Sequence, residues 1–276
     1  MKKNYKNMKK VLLIFAIVII AIVCSCSKYE SVNKEGLTPD MIQWAFMGEV
    51  TSTTCGTCGY SGYNNFNLMK KNNNGRIVAL AFHCNYPSDS MQSPLLYSYE
   101  GSRPTGGGIP SFHIGDIKTP TSGMQLYIDT LLKKSPEAQV KFKEDLVGDK
   151  MNITSKIKFF KNVTGEYYIS FYLCEHDIDG GVNSGVGYKQ TGGSSDYKHN
   201  NVVRSGNDMN NAYGKTISAG SVLSNTVIDY SCSIDVNPKW NKSKLFVTAI
   251  IWKKNSDNMS TCQYLFVNGW DKQIYK

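Results

Sequence analysis

Apolar positions change their spacing several times along the 276-residue chain. An unbroken apolar run of 13 residues, Val11 to Val23, follows a lysine-rich start, and the chain is then polar to about Asp40. Met41-Ile-Gln-Trp-Ala-Phe-Met opens a strand over about 41–50. Tyr63, Phe66 and Met69 recur at helical spacing and predict a helix over about 57–72, which Asn72-Asn-Asn-Gly75 stops. Arg76-Ile-Val-Ala-Leu-Ala-Phe-His83 carries a continuous apolar run over 77–82, the pattern of a parallel strand covered on both faces. After a polar, partly helical excursion over about 86–105, Ile109-Pro110-Ser-Phe-His-Ile enters another strand. Ser122 to Lys134 then carries Met124, Ile128, Leu131 and Leu132 as one helix face. This order, strand–helix–strand–insertion–strand–helix, predicts a small α/β domain over 41–137.

From about Ala138 the period falls to two. Val140-Lys-Phe-Lys, Asn152-Ile-Thr-Ser-Lys-Ile-Lys-Phe, Tyr168-Ile-Ser-Phe-Tyr-Leu, Val227-Ile-Asp-Tyr-Ser-Cys-Ser-Ile, Leu245-Phe-Val-Thr-Ala-Ile-Ile-Trp and Cys262-Gln-Tyr-Leu-Phe-Val read as strands between Gly/Asn/Ser turns. They predict an antiparallel, immunoglobulin-like β-sandwich over 138–276. Asp177 to Lys215 reads as a long Gly/Asn/Ser-rich loop, a length usually reserved for function or disorder.

The amino terminus reads as a targeting segment. Thirteen apolar residues behind Lys2, Lys3, Lys6, Lys9 and Lys10 suit a signal peptide better than a bilayer-spanning helix. A lipoprotein signal needs a small residue before the lipid-bearing cysteine. Ser25 before Cys26 meets that need, whereas Val23 before Cys24 does not. The expectation is a signal peptide over 1–25, acylation at Cys26, a tether over 26–40, and a protein lipid-anchored in the cell envelope, at the outer membrane. Taking five lysines from a formal charge of +9 leaves +4 on the mature chain, too little and too dispersed to imply nucleic acid. Export also makes each remaining cysteine a candidate for oxidation.

The chemistry concentrates in Glu49-Val-Thr-Ser-Thr-Thr-Cys55-Gly-Thr-Cys58. A thiol where a strand passes into a helix meets unpaired N–H groups and the positive end of the helix dipole, which stabilise a thiolate. A second thiol three residues on can close a disulfide with it. Half a zinc site is the competing reading, but His83, His113, His176 and His199 stand singly, so neither a metal nor a cofactor is assigned. Cys84 reads as a small apolar residue. Cys174, Cys232 and Cys262 fall on three sandwich strands, and one disulfide plus a free thiol is the simplest count.

Glu49, Cys55-Gly-Thr-Cys58 and Ile109-Pro110 together resemble the thioredoxin fold. The resemblance implies that Cys55 attacks, Cys58 resolves, Glu49 relays the proton, and a cis-Pro110 exposes the Ile109 backbone to a substrate strand. The wider layout resembles the twenty-eight-kilodalton outer-membrane protein family of Bacteroidetes lipoproteins, whose second domain Tyr197-Lys-His199-Asn-Asn-Val-Val-Arg204 also resembles. It departs from thioredoxin in having Thr54 before the first cysteine and glycines at 59 and 62, poor helix formers. The expected function is thiol–disulfide exchange on exported proteins that carry thiols or disulfides. The alternative is a non-enzymatic surface lipoprotein whose sandwich binds a partner.

Overall fold

Continuous apolar runs need cover on both faces, and the strands that carry them here lie in the middle of a sheet. The computed structural model describes residues 36–73, 75–102, 108–185, 187–256 and 262–271. The expected signal peptide, Cys26 and most of the tether lie outside them. β1 (Ala45–Thr51) and β2 (Ile77–His83) are buried along their whole length and pair in parallel, Ala45 opposite Ile77 and Thr51 opposite His83. β3 (Ser111–Ile114) runs antiparallel to β1, with Glu49 opposite Phe112, and β4 (Ile117–Lys118) forms the edge. Between β1 and β2 the chain makes a π-type turn, Cys58–Gly62, and then α1 (Tyr63–Asn72), which buries Phe66 and Met69. The short α2 (Leu96–Glu100) buries Leu96 and Tyr99, and α3 (Met124–Leu132) buries Met124, Ile128 and Leu131, the face its spacing predicts.

The rest of the main sheet comes from beyond residue 138. β10 (Val202–Gly206) joins β2 in parallel through Val202 and Ala81, and pairs antiparallel with β7 (Val163–Glu175) on its other side. β13 (Leu245–Lys254) and β14 (Tyr264–Asp271) extend it, while β11 (Lys215–Val222) pairs with the amino-terminal part of β7. The nine strands form one sheet in the order β14-β13-β7-β10-β2-β1-β3-β4, with β11 on β7. It therefore passes across the expected boundary at 137/138, and Gly36–Lys276 clusters as one compact unit.

A second, antiparallel sheet contains β5 (Ala138–Val147), β6 (Lys150–Phe159) and β12 (Val227–Asp235), in the order β12-β6-β5. Its alternating residues Val140, Phe142, Ile153 and Ile157 pack on Ile169, Phe171, Val247 and Ile251 of the main sheet, a sandwich-like arrangement. A two-stranded ribbon, β8 (Ile178–Asp179) with β9 (Lys198–His199), stands apart. The fold is thus β-rich, combining a mixed sheet, an antiparallel sheet and few helices. No described helix is long and apolar enough to cross a membrane.

One cysteine expectation changes here. Cys174, Cys232 and Cys262 are all free thiols. Successive strand residues face opposite sides, so Cys174 joins the core shared with Phe46 and Tyr172, whereas Cys232 packs into the core between the two sheets. Cys174 lies opposite Phe246 and Cys262 lies just before Tyr264, which pairs with Lys254. Eight residues of extended β13 separate those two points, roughly 26 Å, far beyond the reach of a disulfide.

Candidate functional site

The cysteine pair stands where β1 gives way to helix. Cys55 is half-buried and immediately precedes the first helical residue, Gly56, while Cys58 is 1% exposed. The Cys58 backbone N–H donates to Cys55 Sγ at 3.2 Å, so a free N–H at the helix start is aimed at the outer sulfur. The Cys55 thiol donates in turn to the Ile109 carbonyl at 3.6 Å, and the Ile109–Pro110 peptide bond is cis. Burial pushes the Cys58 thiol pKa up, and its hydrogen bond with Cys55 adds to this, outweighing bonds from Thr51 and Ser52 that favour the thiolate.

Glu49 lies beneath the pair, in the middle of β1 and 5% exposed. Its Oε1 is buried without a hydrogen-bond partner. Burial alone raises its pKa to about 8, so the carboxyl holds its proton at neutral pH. Gly62 shows how tightly this region is packed. A Cβ there would lie 2.9 Å from Glu49 Oε1 and 3.1 Å from Pro110 Cβ. The structure therefore brings together the five site residues read from the sequence: Cys55, Cys58, Glu49, Ile109 and Pro110.

The chain also supplies residues that sequence reasoning missed. His83, at the end of β2, places Nδ1 2.8 Å from Asp89 Oδ2, and both side chains are buried. Asp89 accepts further bonds from the backbone N–H groups of Thr53 and Met91, each at 2.8 Å. Burial opposes ionisation of this carboxyl, but His83 and the two N–H groups overcome it and hold the pKa below the usual range. Tyr197 and His199 reach the same place from the long loop, with the Tyr197 ring 4.4 Å from that of Tyr63 and the His199 ring 5.3 Å from that of His83. Tyr63, His83, Tyr197, His199 and Glu49 line a partly open cavity of about 20 Å³, room for about one water.

A strap from the same loop packs over the helix start. Gln190 Nε2 donates to the carbonyls of Ser52 at 3.1 Å and Cys55 at 3.0 Å, and Thr191 N–H donates to the Thr53 carbonyl at 2.8 Å. A Cβ on Gly59 would lie 2.3 Å from the Thr191 carbonyl oxygen and 2.8 Å from Gly193 N. Gly59 faces the strap's backbone, where a side chain would clash, while Gly62 faces Glu49 and Pro110. A glycine inside a helix start, against its poor helix propensity, is the sequence signal of such close approach. Asp89 had no comparable signal, because it falls in a polar stretch whose path the sequence does not set.

No family model matches the chain, and no curated protein matches it in sequence. Among solved structures it is similar to HBP35 of Porphyromonas gingivalis, with 12% identity, a TM-score of 0.67, and coverage of 86% of this chain and 77% of that one. It is also matched to the E. coli curli protein CsgC at 11% identity, covering 48% of this chain and 97% of that one, but the TM-score of 0.22 bears no weight. The likeness to HBP35 speaks for the fold: a β-rich architecture shared with a protein of a Bacteroidetes bacterium.

Proposed function

We propose that this is a lipid-anchored protein of the cell envelope, at the outer membrane, that exchanges thiols and disulfides on exported proteins through Cys55 and Cys58. The end of the sheet formed by β2, β1 and β3, with α1, is read as a thioredoxin-like module. Its support is the parallel β1–β2 pair, the antiparallel β3, and the Cys-x-x-Cys between β1 and α1. The observation that carries the reading is the contact set at Cys55, where the N–H of Cys58 points at its sulfur and the Ile109 carbonyl lies 3.6 Å away.

In the reducing direction, the Cys55 thiolate attacks a substrate disulfide, forming a mixed disulfide and releasing one substrate thiolate. Cys58 then loses its proton and attacks Cys55 Sγ. This closes the Cys55–Cys58 disulfide and releases the second thiolate, while Glu49 carries the proton. A dithiol donor regenerates the pair, and the reverse sequence installs disulfides. The exposure difference between the two cysteines fits outer attacking and inner resolving roles. In this reading the Ile109 backbone, beside the Cys55 sulfur, pairs with the substrate strand.

The test is trapping by Cys58→Ser in envelope extracts, together with reduction of a model disulfide protein. Mixed disulfides through Cys55, and wild-type turnover well above a Cys55→Ser control, are expected. Turnover no greater than that control would overturn the reading and leave a scaffold whose sandwich binds a partner.

A further inference from the structure

We propose that His83, held in place by Asp89, is the group with which Glu49 exchanges its proton, across the water-sized cavity beneath the cysteine pair. This rests on the exchange reading above and extends it by a positioning and proton-handling pair outside the Cys-x-x-Cys segment.

Glu49 rests protonated, so it must give up its own proton before it can take that of Cys58, and at 5% exposure it has little contact with bulk water. What it faces is the cavity of about 20 Å³ lined by Thr51, Tyr63, His83, Tyr197 and His199. A water bound there needs two to four polar partners, and these side chains with Glu49 offer them. The Asp89 carboxylate already accepts two backbone N–H groups, so it takes the Nδ1 proton of His83 at 2.8 Å and fixes the tautomer. Nε2 is left with its lone pair and makes no hydrogen bond among the described residues.

The other groups around the cavity do not serve. His199 Nε2 lies 2.8 Å from the Tyr188 carbonyl and so donates to it; burial first, with the charge of His83 next, lowers its pKa to about 3, so it stays neutral. Burial raises the phenols of Tyr197 and Tyr63, which keep their protons near neutrality. Lys70 on α1 is engaged with Asn201 Oδ1 at 2.6 Å, Arg204 on β10 with Glu175 at 2.8 Å, and Cys84, after β2, is a thiol raised to about 11 by burial. His83 alone combines a vacant acceptor nitrogen with a carboxylate behind it, the arrangement that lets an imidazole take up and return a proton.

The experiment uses the full-length chain and its His83→Gln variant, with Asp89→Asn as a second variant should the first fail to fold. Infrared absorption of the Glu49 carboxylic acid, assigned by its loss in Glu49→Gln, is followed against pH. If Glu49 and His83 share a proton, removing His83 takes away the favourable positive neighbour, and the Glu49 midpoint moves upward by about one pH unit or more. The resolution step, read as release of mixed disulfide in a single turnover, slows about tenfold or more. An unmoved midpoint in a folded variant overturns the relay. Because the infrared titration does not need turnover, it still decides the relay if wild type proves no faster than Cys55→Ser, an outcome that overturns only the exchange reading.

Discussion

The two faces of β7 lead into cores of different character. Tyr167, Ile169, Phe171 and Leu173 point into the layer closed by β5, β6 and β12, where the facing side chains are aliphatic or aromatic. Tyr168, Tyr172 and Cys174 point the other way, into a core that continues to β1 and β2, beside which Glu49, His83 and Asp89 are buried. The first core is stabilised mainly by area and packing. Near the second, polar groups are kept out of water at a cost, and one carboxyl oxygen of Glu49 is left unpartnered. Such groups are retained where chemistry uses them. The contrast separates the part of the sheet that makes the fold stable from the part that buries the groups of the proposed site.

The largest expected effect breaks the stable side. Phe171 is fully buried, its ring 5.4 Å from that of Phe142 and 6.0 Å from that of Tyr230. Phe171→Ala should lower unfolding free energy by about 3–5 kcal/mol in a denaturant titration. Because β7 belongs to the same sheet as β1, near-UV and cysteine-accessibility probes should report a single transition. Two separated transitions would mean that the cores are independent after all.

Glu49→Gln tests the other side through its pH dependence. The folded carboxyl titrates near 8, against an ordinary value of 4.5. The folded state therefore keeps a proton that the unfolded chain loses between those values, and wild-type stability falls as pH rises through that window. Gln carries no proton to lose. Relative to its own value at pH 4, the variant should hold stability at pH 8 that wild type loses, a difference on the order of a few kcal/mol. Parallel stability–pH curves for the two proteins would show that Glu49 is not held protonated by burial.

Gly59→Ala addresses the strap, with a smaller effect. The added methyl would meet the Thr191 carbonyl and Gly193 N, which are backbone atoms and cannot rotate away. A loss of about 1–3 kcal/mol is expected. Cys58, now 1% exposed, should also become easier to alkylate in the folded state. Unchanged alkylation would mean that the strap does not protect the inner thiol.

How much of this was legible in the sequence follows the same division. The alternation of β5, β6 and β12 is readable because only one face of each strand is buried. The local signals at Cys55, Cys58 and Pro110 are readable because their chemistry lies within short segments. What the sequence does not show is the parallel pairing of Val202 with Ala81, which joins the two halves into one sheet and places β10 beside β2. Tyr197, His199 and Gln190 are brought to β1 and β2 by that long-range contact. β7 also hides its facing, because both sides are covered and its pattern is buried without a break from Tyr167 to Glu175. No periodicity of β7 could show which core receives Cys174.

The smallest expected effect sharpens the comparison from the exposed edge. Lys150 and Asp235 close the β6–β12 pair with an ion pair of 2.6 Å, their side chains 62% and 85% exposed. At this exposure water screens the attraction, and both side chains lose rotamer freedom in making it. Lys150→Ala should lower stability by no more than about 1 kcal/mol, and about 1 M salt should remove most of the difference. The effect of Glu49→Gln should by contrast respond little to salt, because the buried carboxyl lies away from mobile ions. Measuring both variants at low and high salt therefore asks whether burial, rather than charge itself, sets the energetic weight of these groups. A Lys150→Ala loss above about 2 kcal/mol that persisted in salt would place a strong electrostatic contribution on the sandwich face and undo the division between the two cores.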